Sequence, residues 1–140
     1  MDEVSRFFSD YPSLLPLFSA VRDAIGATGP VALKVSRTQI AFVDGQQFAF
    51  VWLPQRVVKA PADQLVLGLG LGRRAVVPGV KSIAEAASGR FTHHIPLATS
   101  GDVTPGICAL IAEARDFARA RARPSARVLP GSGRQDGASS

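Results

Sequence analysis

The sequence predicts an α+β fold of two layers, in which an antiparallel sheet of five to six strands carries N- and C-terminal helices on one face. Two apolar runs flank Asp44-Gly45, a dipeptide that favours the positive φ angles of a tight hairpin turn. Apolar residues recur at helical spacing near both ends of the chain, and short alternating runs lie between them. We therefore place a hairpin over residues 38–54 at the centre of the sheet.

Length and composition indicate a globular domain. The chain has 140 residues, of which 46% are hydrophobic and 19% are charged. No apolar run approaches the roughly 20 residues of a membrane-spanning helix. The acidic start lacks the basic and apolar regions of a signal peptide, so we expect a cytoplasmic protein with no membrane partner. A single cysteine, Cys108, allows neither a disulfide framework nor a thiolate metal site.

Most of the net charge of +5 comes from the C-terminal end of the chain. Residues 1–114 contain ten Lys or Arg and nine Asp or Glu, whereas residues 115–140 contain six Arg and two Asp. We predict one domain over residues 1–122 and a disordered basic tail over residues 123–140, where no apolar period remains. The high pI is therefore not by itself a sign of a nucleic-acid-binding face.

The N-terminal part is predicted to be mostly helical. A short amphipathic helix over residues 4–8 comes first, and Pro12 suits the first turn of a second helix over residues 12–26. The apolar residues of this second helix are Leu14, Leu15, Phe18, Val21, Ala24 and Ile25. Two glycines and a proline end the helix, and the alternating residues 31–35 predict the first strand.

The register of the central hairpin decides which face of the sheet the helices cover. A two-residue turn at Asp44-Gly45 pairs Phe42 with Gln47, whereas a three-residue loop pairs Phe42 with Gln46. We favour the second register, because it gathers the large apolar side chains on the face that the helices cover. These side chains are Ile40, Phe42, Phe48, Phe50 and Trp52. The opposite face is then small and mixed, with Lys34, Ala41, Val51, Val66, Gly68, Gly70, Thr92 and His94.

The strands after the hairpin are predicted from alternation and turn residues. Residues 65–71 alternate Leu with smaller residues, and residues 90–97 form the last strand. Residues 82–87 are either a helical turn or an edge strand. Strands that follow one another with short turns predict an antiparallel meander.

The final helix is predicted over residues 102–121, with Ser100 or Asp102 as its N-cap. Arginines are concentrated in and after this helix, at Arg115, Arg119, Arg121, Arg123 and Arg127. Such residues can contact phosphates or acidic lipids. We interpret them instead as a solvated basic segment.

Four segments resemble an uncharacterised bacterial family catalogued as domain of unknown function 5655. They are residues 29–31 after the N-terminal helix, residues 36–52 (SRTQIAFVDGQQFAFVW), residues 71–74 (LGRR) and residues 89–94 (GRFTHH). The resemblance covers roughly residues 5–120. It implies an α+β domain and carries no known activity.

The candidate functional residues are weighed against structural roles. His93 and His94 are adjacent on a strand and point to opposite faces, so they do not share one metal ion, and a structural role is favoured for both. In a dinucleotide-binding loop the glycine-rich segment leads directly into a helix, and the residues after segment 68–74 show no helix start. Its last residues, Arg73 and Arg74, can hold an anion, with a solvated turn as the alternative.

The aromatic residues Phe48, Phe50 and Trp52 have the spacing of a stacking platform for single-stranded nucleic acid. Because two helices need an apolar surface to pack on, we interpret these aromatic side chains as core.

We predict a small binding or interaction module for an anionic ligand or nucleic acid, with a ligand site formed by Arg73, Arg74, Arg90 and His94. The alternative is a small enzyme that uses His93 or His94 as acid–base in a pocket beside Trp52. The sequence predicts no catalytic residue, no metal and no cofactor, and it indicates no oligomeric state.

Overall fold

The computed structural model describes residues 2–54 and 64–122. The tail predicted for residues 123–140 lies outside the described residues, as do residues 55–63. In chain order the elements are α1 (Glu3–Phe7), a 3₁₀ turn (Pro12–Leu14), α2 (Leu15–Gly26), β1 (Ala32–Val35), β2 (Ile40–Asp44), β3 (Gln46–Trp52), β4 (Leu65–Leu71), β5 (Ser82–Ala87), β6 (Arg90–Leu97), a 3₁₀ turn (Ser100–Asp102) and α3 (Pro105–Ala122).

The six strands form one antiparallel sheet in the order β1-β2-β3-β4-β6-β5. This sheet, with helices from both ends of the chain on it, confirms the predicted α+β fold. The ambiguous segment over residues 82–87 is an edge strand, joined to β6 by a turn at Gly89, whose φ is 74°. The predicted meander is wrong for the last two strands. β6 pairs with β4, and β5 pairs with the other side of β6 at the edge of the sheet.

One face of the sheet carries the hydrophobic core under α2 and α3. The rings of Phe18 on α2 and Phe42 on β2 stack with centroids 6.1 Å apart. The buried residues of the four central strands on this face are Ile40, Phe42, Phe48, Ala49, Val51, Leu65, Leu67, Leu69, Leu71, His93, Ile95 and Leu97. Each large aliphatic or aromatic side chain buried here stabilises the fold by about 1.5–3 kcal/mol.

A β-bulge in β3 corrects both predicted hairpin registers. Phe42 pairs with Ala49 and the next residue, Val43, pairs with Gln47, so Phe48 is the extra residue. The bulge shifts the alternation of β3 by one residue, and Val51 rather than Trp52 faces the helices.

The prediction that Phe48, Phe50 and Trp52 together form the face under the helices is therefore wrong. Phe48 is buried against α3, where the guanidinium carbon of Arg115 lies 5.2 Å from its ring centroid. Phe50 and Trp52 lie on the opposite face and are partly exposed. The buried leucines of β4 fill the core face, so the core under the helices is complete without the rings of Phe50 and Trp52.

The opposite face has a row of paired residues that crosses the whole sheet. In strand order this row consists of Lys34, Ala41, Phe50, Gly68, His94 and Ser82. Of the residues predicted for the small and mixed face, all except Val51 lie on this face of the sheet.

The N-cap of the last helix is also corrected. Thr104 accepts a hydrogen bond on Oγ1 from the backbone N–H of Ile107 at 3.2 Å, and it immediately precedes α3. Asp102 is instead the last residue of the preceding 3₁₀ turn, whose N-cap is Thr99, and its carboxylate accepts from the backbone N–H groups of Ala98 and Thr99. Within residues 2–54 and 64–122, no helix has the length and apolar character to cross a bilayer.

Candidate functional site

Arg73, the first arginine after β4, forms an ion pair with the last helix. Its Nε and Nη2 donate to the two carboxylate oxygens of Glu113 on α3, both at 2.8 Å. The guanidinium group of Arg73 lowers the pKa of Glu113 through these hydrogen bonds. The side chains of Arg73 and Glu113 are 59% and 37% exposed, so solvent screens this pair.

Arg74 lies next to the first residues of β6. Its guanidinium carbon is 5.0 Å from the ring centroid of Phe91, a cation–π distance. Arg74 is exposed, and it thus adds positive charge at the end of the sheet where β6 begins.

His93 is fully buried on the core face, and both of its ring nitrogens are used within the fold. Nε2 accepts a hydrogen bond from the backbone N–H of Ala75 at 2.9 Å, and Nδ1 lies 3.1 Å from the carbonyl oxygen of Phe91. Because Nε2 accepts, Nδ1 carries the proton of the neutral ring. Burial lowers the pKa of His93 below its ordinary value. These bonds give His93 the role of fixing the β4–β5 connection to the sheet.

His94 lies on the opposite face, beside Phe50. The two rings meet edge to face, with centroids 6.4 Å apart and planes at 76°. Nδ1 of His94 is buried and has no hydrogen-bond partner among the described residues. Burial, and then the neighbouring His93, lower the pKa of His94. A neutral imidazole is therefore favoured at this position.

A cavity of about 460 Å³ lies where the first residues of β3 and β6 meet the last turns of α3. Gln46 and Gln47 of β3, Arg90 and Thr92 of β6, and Arg121 of α3 supply its polar side chains. Phe48, Phe50, Phe91 and Phe117 supply its apolar walls. The volume is within the usual range of small-molecule sites.

Positive charge is the main electrostatic feature of this cavity. Arg90 and Arg121 both line it, and no Asp or Glu is among the described residues that do. The Arg121 guanidinium donates to Oε1 of Gln46 at 2.5 Å and lies 5.0 Å from the Phe117 ring centroid. Burial, and then the nearby charge of Arg90, lower the pKa of Arg121. Two like charges facing one space favour the entry of an anion.

Gly70 of β4 forms part of the cavity wall and leaves space there. A Cβ atom at this position would have no atom within 4 Å, so the hollow is directly over the backbone. The neighbouring Gly68, two residues earlier on the same face, is instead covered by the ring of Phe50.

Arg115 shows a different use of arginine on the same helix. It is 1% exposed, which overturns the interpretation of this residue as solvated. Its guanidinium donates to Asp44, to Thr28 Oγ1 and to the carbonyl oxygens of Gly29 and Pro30. This cluster joins the end of α2, the central hairpin and α3, so its role is structural.

Of the four residues predicted for the ligand site, Arg90 lines the cavity, and Arg73, Arg74 and His94 lie outside its lining. Arg74 contacts the ring of Phe91, which lines the cavity, and His94 is on the same face of β6 as Arg90 and Thr92. Sequence reasoning missed Arg121 as a site residue. Its only signal was membership in the arginine series of the last helix, which does not distinguish it from Arg115.

The polar side chains of the cavity are guanidinium, amide and hydroxyl groups, which donate hydrogen bonds to an anion. Among the residues that the structure describes, no three His, Cys, Asp or Glu side chains group as metal ligands. Cys108 is a free thiol and is not part of the cavity lining.

Comparison with known proteins gives one match. The family model described as "Domain of unknown function (DUF5655)" matches residues 4–118. No curated protein and no solved structure matches the chain.

Proposed function

The chain belongs to the DUF5655 family, and we propose that it is a small binding module that holds an anionic ligand in the cavity between Arg90 and Arg121. The observation that carries this proposal is the pair of guanidinium groups in one cavity with no carboxylate among its described lining residues. Each guanidinium offers two parallel donors to a phosphate or carboxylate and keeps its charge at all relevant pH values.

The surroundings of the two arginines support the same function. Arg121 is half-buried and held in place by Gln46 and Phe117, which reduces the entropy lost when a ligand binds. Arg90 is exposed and is therefore accessible to a ligand from solvent. The hydroxyl of Thr92 offers an additional donor.

In this proposal Arg74 and His94 have supporting roles, and Arg73 has none, because Glu113 balances its charge. Arg74 raises the positive potential beside the cavity and attracts an anion, although it does not line the cavity. His94 supports the ring of Phe50, which forms one wall.

The alternative function, an enzyme with His93 or His94 as acid–base, has less support. His93 is buried with both ring nitrogens engaged, and neither histidine lines the cavity. General acid–base catalysis needs the group within hydrogen-bond reach of a substrate.

The test is a calorimetric titration of the full chain with inorganic phosphate and pyrophosphate. Arg90→Gln and Arg121→Gln should each weaken binding about tenfold or more, since each removes charge-assisted hydrogen bonds. Gly70→Val should also weaken binding, because its side chain occupies the hollow, where an added Cβ atom has no atom within 4 Å. Added salt should reduce the affinity.

Two matched controls separate this cavity from general positive charge. Arg22→Gln removes one charge from the exposed side of α2 and should leave phosphate affinity unchanged. Arg73→Gln with Arg74→Gln should reduce it only slightly. A larger loss in this double variant than in Arg121→Gln would place the site at the end of β4 and contradict the proposal.

A further inference from the structure

The ring of Phe50 lies flat on the sheet. A Cβ atom added to Gly68 would be 2.2, 2.5 and 2.6 Å from Cζ, Cε1 and Cε2 of this ring. The three distances are nearly equal, so the end of the ring is parallel to the backbone rather than standing on it. One face of the ring therefore presses on Gly68, and the other is directed away from the sheet.

Glycine makes this arrangement possible at one position and leaves a hollow at the next. At Gly68 the missing side chain is replaced by the Phe50 ring, whereas at Gly70 the corresponding space is empty. Phe50 and Gly70 both line the cavity. The flat ring is thus a shelf beside the hollow.

The imidazole of His94 is the aromatic neighbour of this shelf, across Gly68 from Phe50. The two ring centroids are 6.4 Å apart and the ring planes are at 76°. Phe50 is partly exposed. A partly exposed aromatic face is the usual platform on which proteins stack a planar heterocycle.

We propose that the ligand is a nucleotide unit, with its phosphate between Arg90 and Arg121 and its base stacked on the outward face of Phe50. This inference rests on the proposed function and adds the chemistry of the rest of the ligand. An anion without a ring would leave the Phe50 shelf unused, and an apolar ring without an anion would leave both arginines unneutralised.

Further groups of the cavity fit the same ligand. The side chains of Gln47 and Thr92 line it and can exchange hydrogen bonds with the sugar and with the edge of a base. A free nucleotide and one unit of a single strand share this chemistry, so the experiment below includes both.

The test compares four probes with the full chain by calorimetry: inorganic phosphate, ribose phosphate, adenosine monophosphate and a short single-stranded oligonucleotide. Adenosine monophosphate should bind at least about fivefold more tightly than ribose phosphate, because only it can stack on Phe50. Phe50→Leu should remove this advantage while phosphate and ribose phosphate bind as before. Phe50→Tyr, which keeps the ring, should retain it.

The outcomes distinguish this inference from the proposed function. If phosphate binds through Arg121 and adenosine monophosphate has no advantage over ribose phosphate, the nucleotide inference is overturned and the anion site stands. If no probe binds, both are overturned. Tighter binding of the oligonucleotide than of the monophosphate would assign the ligand to a strand, and the reverse order would assign it to a free nucleotide.

Discussion

Arg115 and Arg121 lie less than two turns apart on α3, and they differ in the acceptors that surround them. Arg115 is buried among a carboxylate, a hydroxyl and two backbone carbonyls that take up its donors. Arg121 has one amide acceptor among the described residues and faces a second arginine across a cavity. The role of each arginine therefore depends on the acceptors around it. A guanidinium whose donors all have partners within the protein stabilises the fold, whereas one with few partners can bind a ligand.

The largest effect should come from Arg115→Ala. This change leaves the carbonyl oxygens of Gly29 and Pro30 and the hydroxyl of Thr28 without their donor, and Arg119 becomes the remaining arginine that binds Asp44 from α3. We expect the free energy of unfolding to fall by about 3–5 kcal/mol, because several buried acceptors lose a hydrogen bond and the packing of a fully buried side chain is lost. Denaturant unfolding monitored by circular dichroism measures it.

Arg121→Gln is the matched comparison, and it should cost less than about 1 kcal/mol of stability. If the two variants were equally destabilised, the distinction between a structural and a ligand-binding arginine would fail.

The second effect concerns the two glycines of β4. Gly68→Ala places a methyl group against the ring of Phe50, so the ring must move, and we expect a loss of about 1–3 kcal/mol. Gly70→Ala meets no atom and should be neutral or stabilise by up to about 1 kcal/mol, because alanine restricts the unfolded chain. Thermal unfolding of both variants tests this, and a reversed order would contradict the position of the ring.

The third effect is a dependence of stability on pH. Burial lowers the pKa of both His93 and His94 in the folded state, whereas the unfolded chain binds protons near the ordinary value of 6.5. The unfolded state therefore takes up more protons as the pH falls below about 6.5, and the free energy of unfolding should decrease there. The loss is at most about 1.4 kcal/mol per pH unit for each histidine.

Unfolding at pH 7.5 and 5.5, repeated with His94→Gln, checks this sign and assigns the share of each histidine. Stability that rises on acidification between these values would show that one imidazole is charged in the fold.

The smallest effect is expected for Arg73→Gln. Its ion pair with Glu113 is mostly exposed, and such pairs contribute about 0–1 kcal/mol. Denaturant unfolding at low and high salt should show a difference only at low salt. A loss as large as that of Arg115→Ala would mean that the β4–β5 connection depends on this pair.

The fold was accessible from the sequence, because its elements are marked by local residues. The spans of β4 and β6 were predicted with the bounds that the structure has, since alternation and turn glycines delimit both. The register of β3 was not predictable in this way. The bulge at Phe48 inserts one residue without a local marker, and it moves Phe50 and Trp52 to the other face.

The candidate site was only partly accessible for a similar reason. Arg90 was predicted from its position at the start of β6, but Arg121 joins it only because the end of α3 crosses the first residues of β3. A contact between a helix and a hairpin about 75 residues apart in the chain leaves no spacing signal in the sequence.

The most direct test of the anion site is a titration of the isotope-labelled full chain with inorganic phosphate, followed by backbone amide chemical shifts. We expect saturable shifts concentrated at residues 46–47, 70, 90–92 and 117–121, with residues 28–30 and 115 unchanged. These shifts should be lost in Arg121→Gln. Shifts centred on Arg115 and Asp44, or no saturable shift at any residue, would contradict the claim that Arg90 and Arg121 form a binding site.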